Sequence, residues 1–164
     1  MRVLITGGTG MLGSSLARIG QDAGLELLIP NRSQLDLNDE IATFRFIEAN
    51  APDAIIHAAA RVGGIAANIA YPIEFLTQNI RIDGNVLNAS LNIGVKRFIY
   101  VGSSCIYPRD LAYPMKEDEI LTGPLEPTNE GYALAKLVGS KTVQYVAQTK
   151  GLTWRNFIPS NLYG

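Results

Sequence analysis

Tyr132 and Lys136 stand four residues apart in Gly131-Tyr132-Ala133-Leu134-Ala135-Lys136. On an α-helix that spacing stacks the two side chains on one face, one turn apart. A phenol titrates near ~10, so at pH 7 it is a poor proton donor and a poor base. A lysine ammonium held beside it favours the phenolate and lowers that pKa. Such a pair can pass a proton to a carbonyl oxygen while a hydride arrives at the carbon. Many helices carry Tyr-x-x-x-Lys as an ordinary surface or core-edge pair, so the upstream residues decide between the two readings.

Upstream, Gly7-Gly8-Thr9-Gly10-Met11-Leu12-Gly13 follows the apolar run Val3-Leu4-Ile5 and opens a helical pattern. Gly7, Gly10 and Gly13 have GxxGxxG spacing, and Gly8, Gly10 and Gly13 satisfy GxGxxG, in the strand–turn–helix setting a dinucleotide fingerprint requires. One glycine permits the tight turn, one lets the backbone approach a pyrophosphate, and the last packs helix against strand. The pyrophosphate then sits at the helix N-terminus, where free N–H groups and the dipole favour negative charge. NAD-specific folds of this kind place a carboxylate after the second strand. Here that place reads Pro30-Asn31-Arg32. Arg32 can pair with a 2′-phosphate, which favours NADP(H) over NAD(H). Asp36 stands near enough in sequence to reach the adenosine, and a solvated loop arginine is the plain alternative.

Val101-Gly102-Ser103-Ser104-Cys105-Ile106-Tyr107-Pro108 falls at the carboxyl end of a predicted strand, where open α/β sheets bind ligands. The Ser103 hydroxyl can hydrogen-bond a substrate carbonyl and share its developing charge with Tyr132. Strand-end serines are also common turn formers, and a lone cysteine such as Cys105 is commonly a small buried hydrophobe.

The elements that must position these residues alternate. Short apolar runs predict strands at 3–5, 25–29, 35–37, 54–57, 97–101 and 153–158. Leu16, Ala17, Ile19 and Ala23 mark a first helix ending at Gly24. Asn38 is expected to cap a second helix with the stripe Ile41, Phe44 and Ile47. Tyr71-Pro72 opens a long helix through Ile73, Leu76, Ile80, Val86, Leu87 and Leu91, and the Tyr132 helix spans about 129–150. This order predicts an α/β fold: a Rossmann-type, doubly wound parallel sheet covered on both faces. The loop from 108 to 127 is long for a connector, and such loops are commonly functional.

With 164 residues, 47% of them hydrophobic, the chain can bury the core of one domain, 1–164. A net charge of -1 gives no reason to expect nucleic acid or an anionic membrane as partner. The single cysteine suits a reducing compartment, and the N-terminus has no signal-peptide layout, so a cytoplasmic protein is expected. No metal site is expected.

Four stretches carry a resemblance: His57-Ala58-Ala59-Ala60-Arg61-Val62-Gly63-Gly64-Ile65, Gly102-Ser103-Ser104-Cys105-Ile106-Tyr107-Pro108, Leu125-Glu126-Pro127-Thr128-Asn129-Glu130-Gly131-Tyr132-Ala133 and Asn161-Leu162-Tyr163-Gly164. With the glycine fingerprint they resemble the extended short-chain dehydrogenase/reductases of nucleotide sugars, in the branch of GDP-sugar 3,5-epimerase–4-reductases. The resemblance implies NADPH-dependent epimerisation of GDP-4-keto-6-deoxy-mannose at C3 and C5, then reduction at C4 to GDP-L-fucose. A colitose-forming branch, whose substrate lacks the 3-hydroxyl, shares these motifs. A non-catalytic NADP-binding module would need only the glycine loop.

Carried over, Tyr132 is the proton donor, Lys136 lowers its pKa and holds the cofactor ribose, Ser103 binds the carbonyl oxygen and Cys105 is the epimerisation base. The implied cofactor contacts are Gly7 to Gly13 (with Gly8, Thr9, Gly10, Met11 and Leu12), Arg32, Ala58, Ala59, Val101, Gly102, Ser103, Ser104, Tyr132 and Lys136. Pro159, Ser160, Asn161 and Leu162 would face the nicotinamide, and residues 61–65 the substrate. Two departures stand out. Thr9 replaces an arginine that some members direct at the 2′-phosphate. The histidine the family uses as epimerisation acid would fall after the end of this chain, as would a C-terminal domain that grips the GDP-sugar. His57 is then either structural or cofactor-adjacent. The resemblance also implies a homodimer built on the two long helices.

Overall fold

The computed structural model describes residues 1–163. Ten elements alternate along it: β1 (Arg2–Thr6), α1 (Met11–Asp22), β2 (Glu26–Leu28), α2 (Glu40–Asn50), β3 (Ala54–His57), α3 (Ile65–Ala70), α4 (Pro72–Ile93), β4 (Arg97–Val101), α5 (Glu130–Lys150) and β5 (Thr153–Phe157). The strands form one parallel sheet in the order β2-β1-β3-β4-β5. The order reverses between β1 and β3, so the crevice at the strands' carboxyl ends opens there.

Strand alternation divides the core between the two faces of the sheet. Leu4, Ile55, Phe98, Tyr100 and Trp154 point to one face and pack with Ile47 of α2, Val86 and Leu87 of α4, and Val143 of α5. Phe98 and Trp154 stack with ring centroids 4.7 Å apart, and the Trp154 indole donates to the Val95 carbonyl. Val3 and Ile5 point the other way, against Ala17 of α1. That second face is covered over β2 and β1 and reaches Ala54 and Ile56 of β3. Toward β5 it is open, with Ile99 and Phe157 exposed. Coverage on both faces, as expected from the alternation, therefore holds for one side of the sheet and part of the other.

Four local expectations are corrected. Residues 35–37 form no strand. The Asn31 carboxamide instead accepts from the backbone N–H groups of Ser33 and Gln34, curling the chain into a turn that buries Leu35. Helix α2 is capped by Asp39 rather than Asn38: its carboxylate accepts from Ala42 N–H at 2.9 Å. Ile19, Ile41, Ile73 and Ile80, placed on buried stripes, are exposed. Between residues 65 and 70 the glycine-rich loop gives way to the short helix α3, whose Asn68 side chain donates to the carbonyls of Gly63 and Gly64.

Candidate functional site

A cleft of about 1140 Å³ lies along the carboxyl ends of the strands. Its floor is the glycine turn between β1 and α1. Gly7 has φ +70°, and a Cβ there would come within 2.7 Å of the Ala59 backbone. A Cβ on Gly13 would stand 2.1 Å from the Gly7 carbonyl oxygen. Only glycine lets the helix start so close under the turn. Gly10 caps α1 without a side-chain partner, so the first N–H groups of the helix face the cleft unmasked. Thr9, Gly10, Met11, Leu12 and Gly13 line this end together with Ala58 and Ala59. Gly8 does not line it; its α-carbon faces Ile29 and the Ile5 carbonyl.

Arg32 and Asp36 line the cleft beyond the carboxyl end of β2. Hydrogen bonds from Asn38 hold the Asp36 carboxyl below the usual carboxylate range, with Arg32 adding a smaller push in the same direction. An exposed guanidinium and a carboxylate thus stand together at this end of the cleft.

At the other end, Val101, Gly102, Ser103, Ser104 and Cys105 leave β4, and Pro159 to Leu162 follow β5. Ser103 opens a 3-10 turn over Ser104–Ile106, its hydroxyl accepting from Cys105 N–H at 3.3 Å. The Cys105 thiol is half-buried and accepts from the Asn129 side-chain amide at 3.2 Å. Tyr132 and Lys136 reach the same cleft from the first two turns of α5. The sequence-predicted site residues are therefore brought to one cavity, except Gly8 and, of the substrate-side stretch 61–65, Gly64 and Ile65; Gly164, the last residue of the fourth quoted stretch, lies outside the described residues.

The electrostatics differ from the expectation for the Tyr132–Lys136 pair. The Tyr132 hydroxyl is pushed up to about 12, chiefly by burial and then by Cys105 and Asp83, while the Ser103 side chain pulls the other way. The Lys136 ammonium is committed elsewhere. It is 2% exposed, donates to Asp83 at 3.5 Å and lies 4.7 Å from the centre of the Tyr100 ring. Burial lowers its pKa and Asp83 raises it again. Tyr132 is consequently a phenol at neutral pH, an acid in its proton-bearing form.

The sequence of this cleft matches the family described as NAD dependent epimerase/dehydratase over residues 3–164. The chain belongs to that family. Among epimerase/dehydratase family members, a GDP-L-fucose synthase of Escherichia coli (strain K12) is 42% identical over 164 residues, covering 99% of this chain and 51% of that protein. A GDP-L-colitose synthase of Yersinia pseudotuberculosis is 39% identical, covering all of this chain and 54% of that protein. A solved GDP-L-fucose synthetase of Naegleria fowleri bound to NADP superposes with a TM-score of 0.89 at 29% identity, over 99% of this chain and 54% of that one. The chain spans about half the length of the curated relatives it matches.

Residue-by-residue reading missed three groups at this epimerase/dehydratase site. Asn79 on α4 accepts from Arg61 N–H and donates to its carbonyl, clamping the loop after β3. Asn129 reaches Cys105, and Asp83 reaches Lys136. A signal for two of them is present. Asn79 and Asp83 sit four apart among the buried residues of α4, where a purely packing helix would carry apolar side chains.

Proposed function

We propose that this chain is the NADP(H)-binding part of an enzyme that epimerises GDP-4-keto-6-deoxy-D-mannose at C3 and C5 and reduces C4, giving GDP-L-fucose. The observation that carries this reading is the convergence of Ser103, Cys105, Tyr132 and Lys136 on one cleft with the glycine turn and Arg32. Support comes also from the GDP-L-fucose synthases among its relatives. The cradle fits a dinucleotide: glycine at positions 7 and 13 lets the turn close tightly against Ala59 and the start of α1, and free helix N–H groups face it.

NADPH, when bound, supplies the hydride for C4. Tyr132, protonated well past neutrality, donates its proton to the C4 oxygen, and Ser103 hydrogen-bonds that oxygen as charge develops on it. The Lys136 ammonium has three donors, of which Asp83 takes one; the others can serve a ribose hydroxyl and the emerging phenolate. Before reduction, the C4 carbonyl acidifies the C–H bonds at C3 and C5. The Cys105 sulfur, as its thiolate, removes one of these protons at a time; the resulting enolate regains a proton on its opposite face, and the thiol passes its own proton to solvent before the second round, with the Asn129 amide holding the sulfur in place. In this reading residues 1–164 form one NADP-binding domain of a soluble cytoplasmic enzyme. No helix among the described residues is long and apolar enough to cross a membrane.

The decisive experiment is Tyr132→Phe in the full-length protein. Loss of NADPH oxidation by at least about 100-fold, a typical contribution of one positioned acid, with NADPH affinity within about 3-fold, is expected. Unchanged turnover would overturn the reading, as would failure of the wild type to bind NADPH. A colitose-type substrate is favoured by the Yersinia relative; turnover only of the substrate lacking the 3-hydroxyl would establish it.

A further inference from the structure

Behind Lys136 lies a buried polar cluster that none of the proposed chemistry uses. Asp83 is 2% exposed on α4 and receives three donors. The His57 Nε2 stands 2.9 Å from its Oδ1, the Tyr100 hydroxyl donates to its Oδ2, and the Lys136 Nζ reaches its Oδ1 at 3.5 Å. Thr6 Oγ1 is 2.6 Å from the His57 Nδ1. A carboxylate can only accept, so the proton of His57 sits on Nε2 and Nδ1 accepts from the Thr6 hydroxyl. Desolvation keeps the imidazole neutral by lowering its pKa. The cluster therefore holds one anion, Asp83, and one cation, Lys136, both almost wholly buried.

We infer that Asp83 is the positioning residue of the reductase site: it is the counter-ion that keeps Lys136 charged and aims its ammonium into the cleft. The inference rests on the reading of Lys136 given above. β3 presents neutral His57, β4 presents the uncharged Tyr100 ring, the turn after β4 presents Cys105, and α5 itself presents Tyr132. Among these described residues Asp83 alone offers a carboxylate. A buried lysine without such a partner loses its proton readily, because burial penalises the charged form. The two remaining acceptor interactions of Asp83, with His57 and Tyr100, come from two neighbouring strands and fix its orientation. Lys136 cannot swing away without leaving the carboxylate uncompensated, a costly state in a dry interior.

The direction of the effect follows. Removing Asp83 lowers the pKa of Lys136, so the charged form is lost at a lower pH. If the reaction needs the ammonium, the rate of ketone reduction falls as pH rises through that value. The test is kcat for NADPH oxidation by the full-length protein between about pH 6 and 10, a range that spans the ordinary histidine and lysine values, in wild type, Asp83→Asn, Asp83→Glu and Lys136→Met. The alkaline limb should move down by roughly 1–3 pH units in Asp83→Asn, the usual effect of a close opposite charge. Asp83→Glu, which keeps the charge, should restore most of that shift. A role in packing alone would lower the rate at every pH and leave the limb in place, and that outcome overturns the inference. Full activity of Lys136→Met would instead overturn the reading of Lys136 on which it rests.

Should Asp83→Asn fold but prove too unstable to assay across this pH range, thermal melts of the two single variants and the Asp83→Asn/Lys136→Met double variant read the same coupling. The double variant leaves no unpaired buried charge and should recover most of the lost Tm. Additive losses would overturn the pairing.

Discussion

At the level of a single side chain, we propose that Arg32 decides the cofactor. It is an exposed cation at the cleft end beyond β2, and the residues directly after that strand, Ile29-Pro30-Asn31, carry no carboxylate. Charge-assisted hydrogen bonds contribute about 1.5–3 kcal/mol each, which is roughly 10- to 100-fold in affinity. Replacing Arg32 by Ala should therefore weaken NADPH binding by that factor while changing NADH binding by less than about 3-fold. Fluorescence titration with the two cofactors checks it, and equal losses for both would remove Arg32 from the 2′-phosphate. At this scale the sequence was informative about identity and poor about partners. Ser103, Cys105, Tyr132 and Lys136 could be named because their spacing and their place at strand ends and helix starts are local properties. What Lys136 touches could not, since Asp83 is 53 positions away. The expected Lys136-to-Tyr132 effect failed for that reason: the ammonium turned to a buried carboxylate, and desolvation of the phenol set its titration.

Between elements, one contact that helps place the tyrosine helix is the seat of α5 on β4, beside its packing on α4 and β5. Gly139, one turn beyond Lys136, lies so close to Tyr100 that a Cβ would stand 2.3 Å from the phenol oxygen. Tyr100 is fully buried and its hydroxyl is bonded to Asp83, so it has no free direction in which to yield. Gly139→Ala should force α5 outward, with an overpacking cost of about 1–3 kcal/mol. Its ketone reduction should fall more than its NADPH binding, because the shift displaces Tyr132 and Lys136 while leaving the glycine turn untouched. Chemical denaturation and steady-state kinetics together check this; a variant as stable and active as wild type would contradict the packing argument. Element types were legible wherever a long period or a strong stop was present. Helix α4 begins at Pro72 and ends at Gly94, φ +81°, as its sequence suggested. Residues 35–37 misled because alternation over three residues is too short to outweigh the Asn31 turn before it. Helix α3 was missed because its six residues follow two glycines and show no full period.

Across the whole molecule, the exposed apolar side chains of the two long helices remain to be accounted for. Leu134, Val138 and Tyr145 are spaced four and seven apart along α5 and are 38%, 52% and 60% exposed. Ile73 and Ile80, seven apart on α4, are 72% and 41% exposed. Such spacing puts each set on one side of its helix, away from the buried stripes that hold Val86, Leu87 and Val143 against the sheet. Isolated exposed aliphatics need no explanation, but paired stripes on two helices that pack together do. We propose that they meet the same helices of a second copy in a two-fold interface, the arrangement in which one patch serves both partners. A glutamate at Val138 would then appear twice at the contact, each copy facing an apolar surface and near its symmetry mate. Val138→Glu in the full-length protein should convert a dimeric mass to a monomeric one in light scattering, with little change in the monomer's secondary structure. At Leu134, closer to Tyr132 along the same stripe, the same substitution should act likewise but also lower turnover, since the interface there backs the first turns of α5. A monomeric wild type, or a Val138→Glu variant that stays dimeric, would show that these stripes face solvent or another part of the chain, and that the site needs no second copy to hold α5 in place.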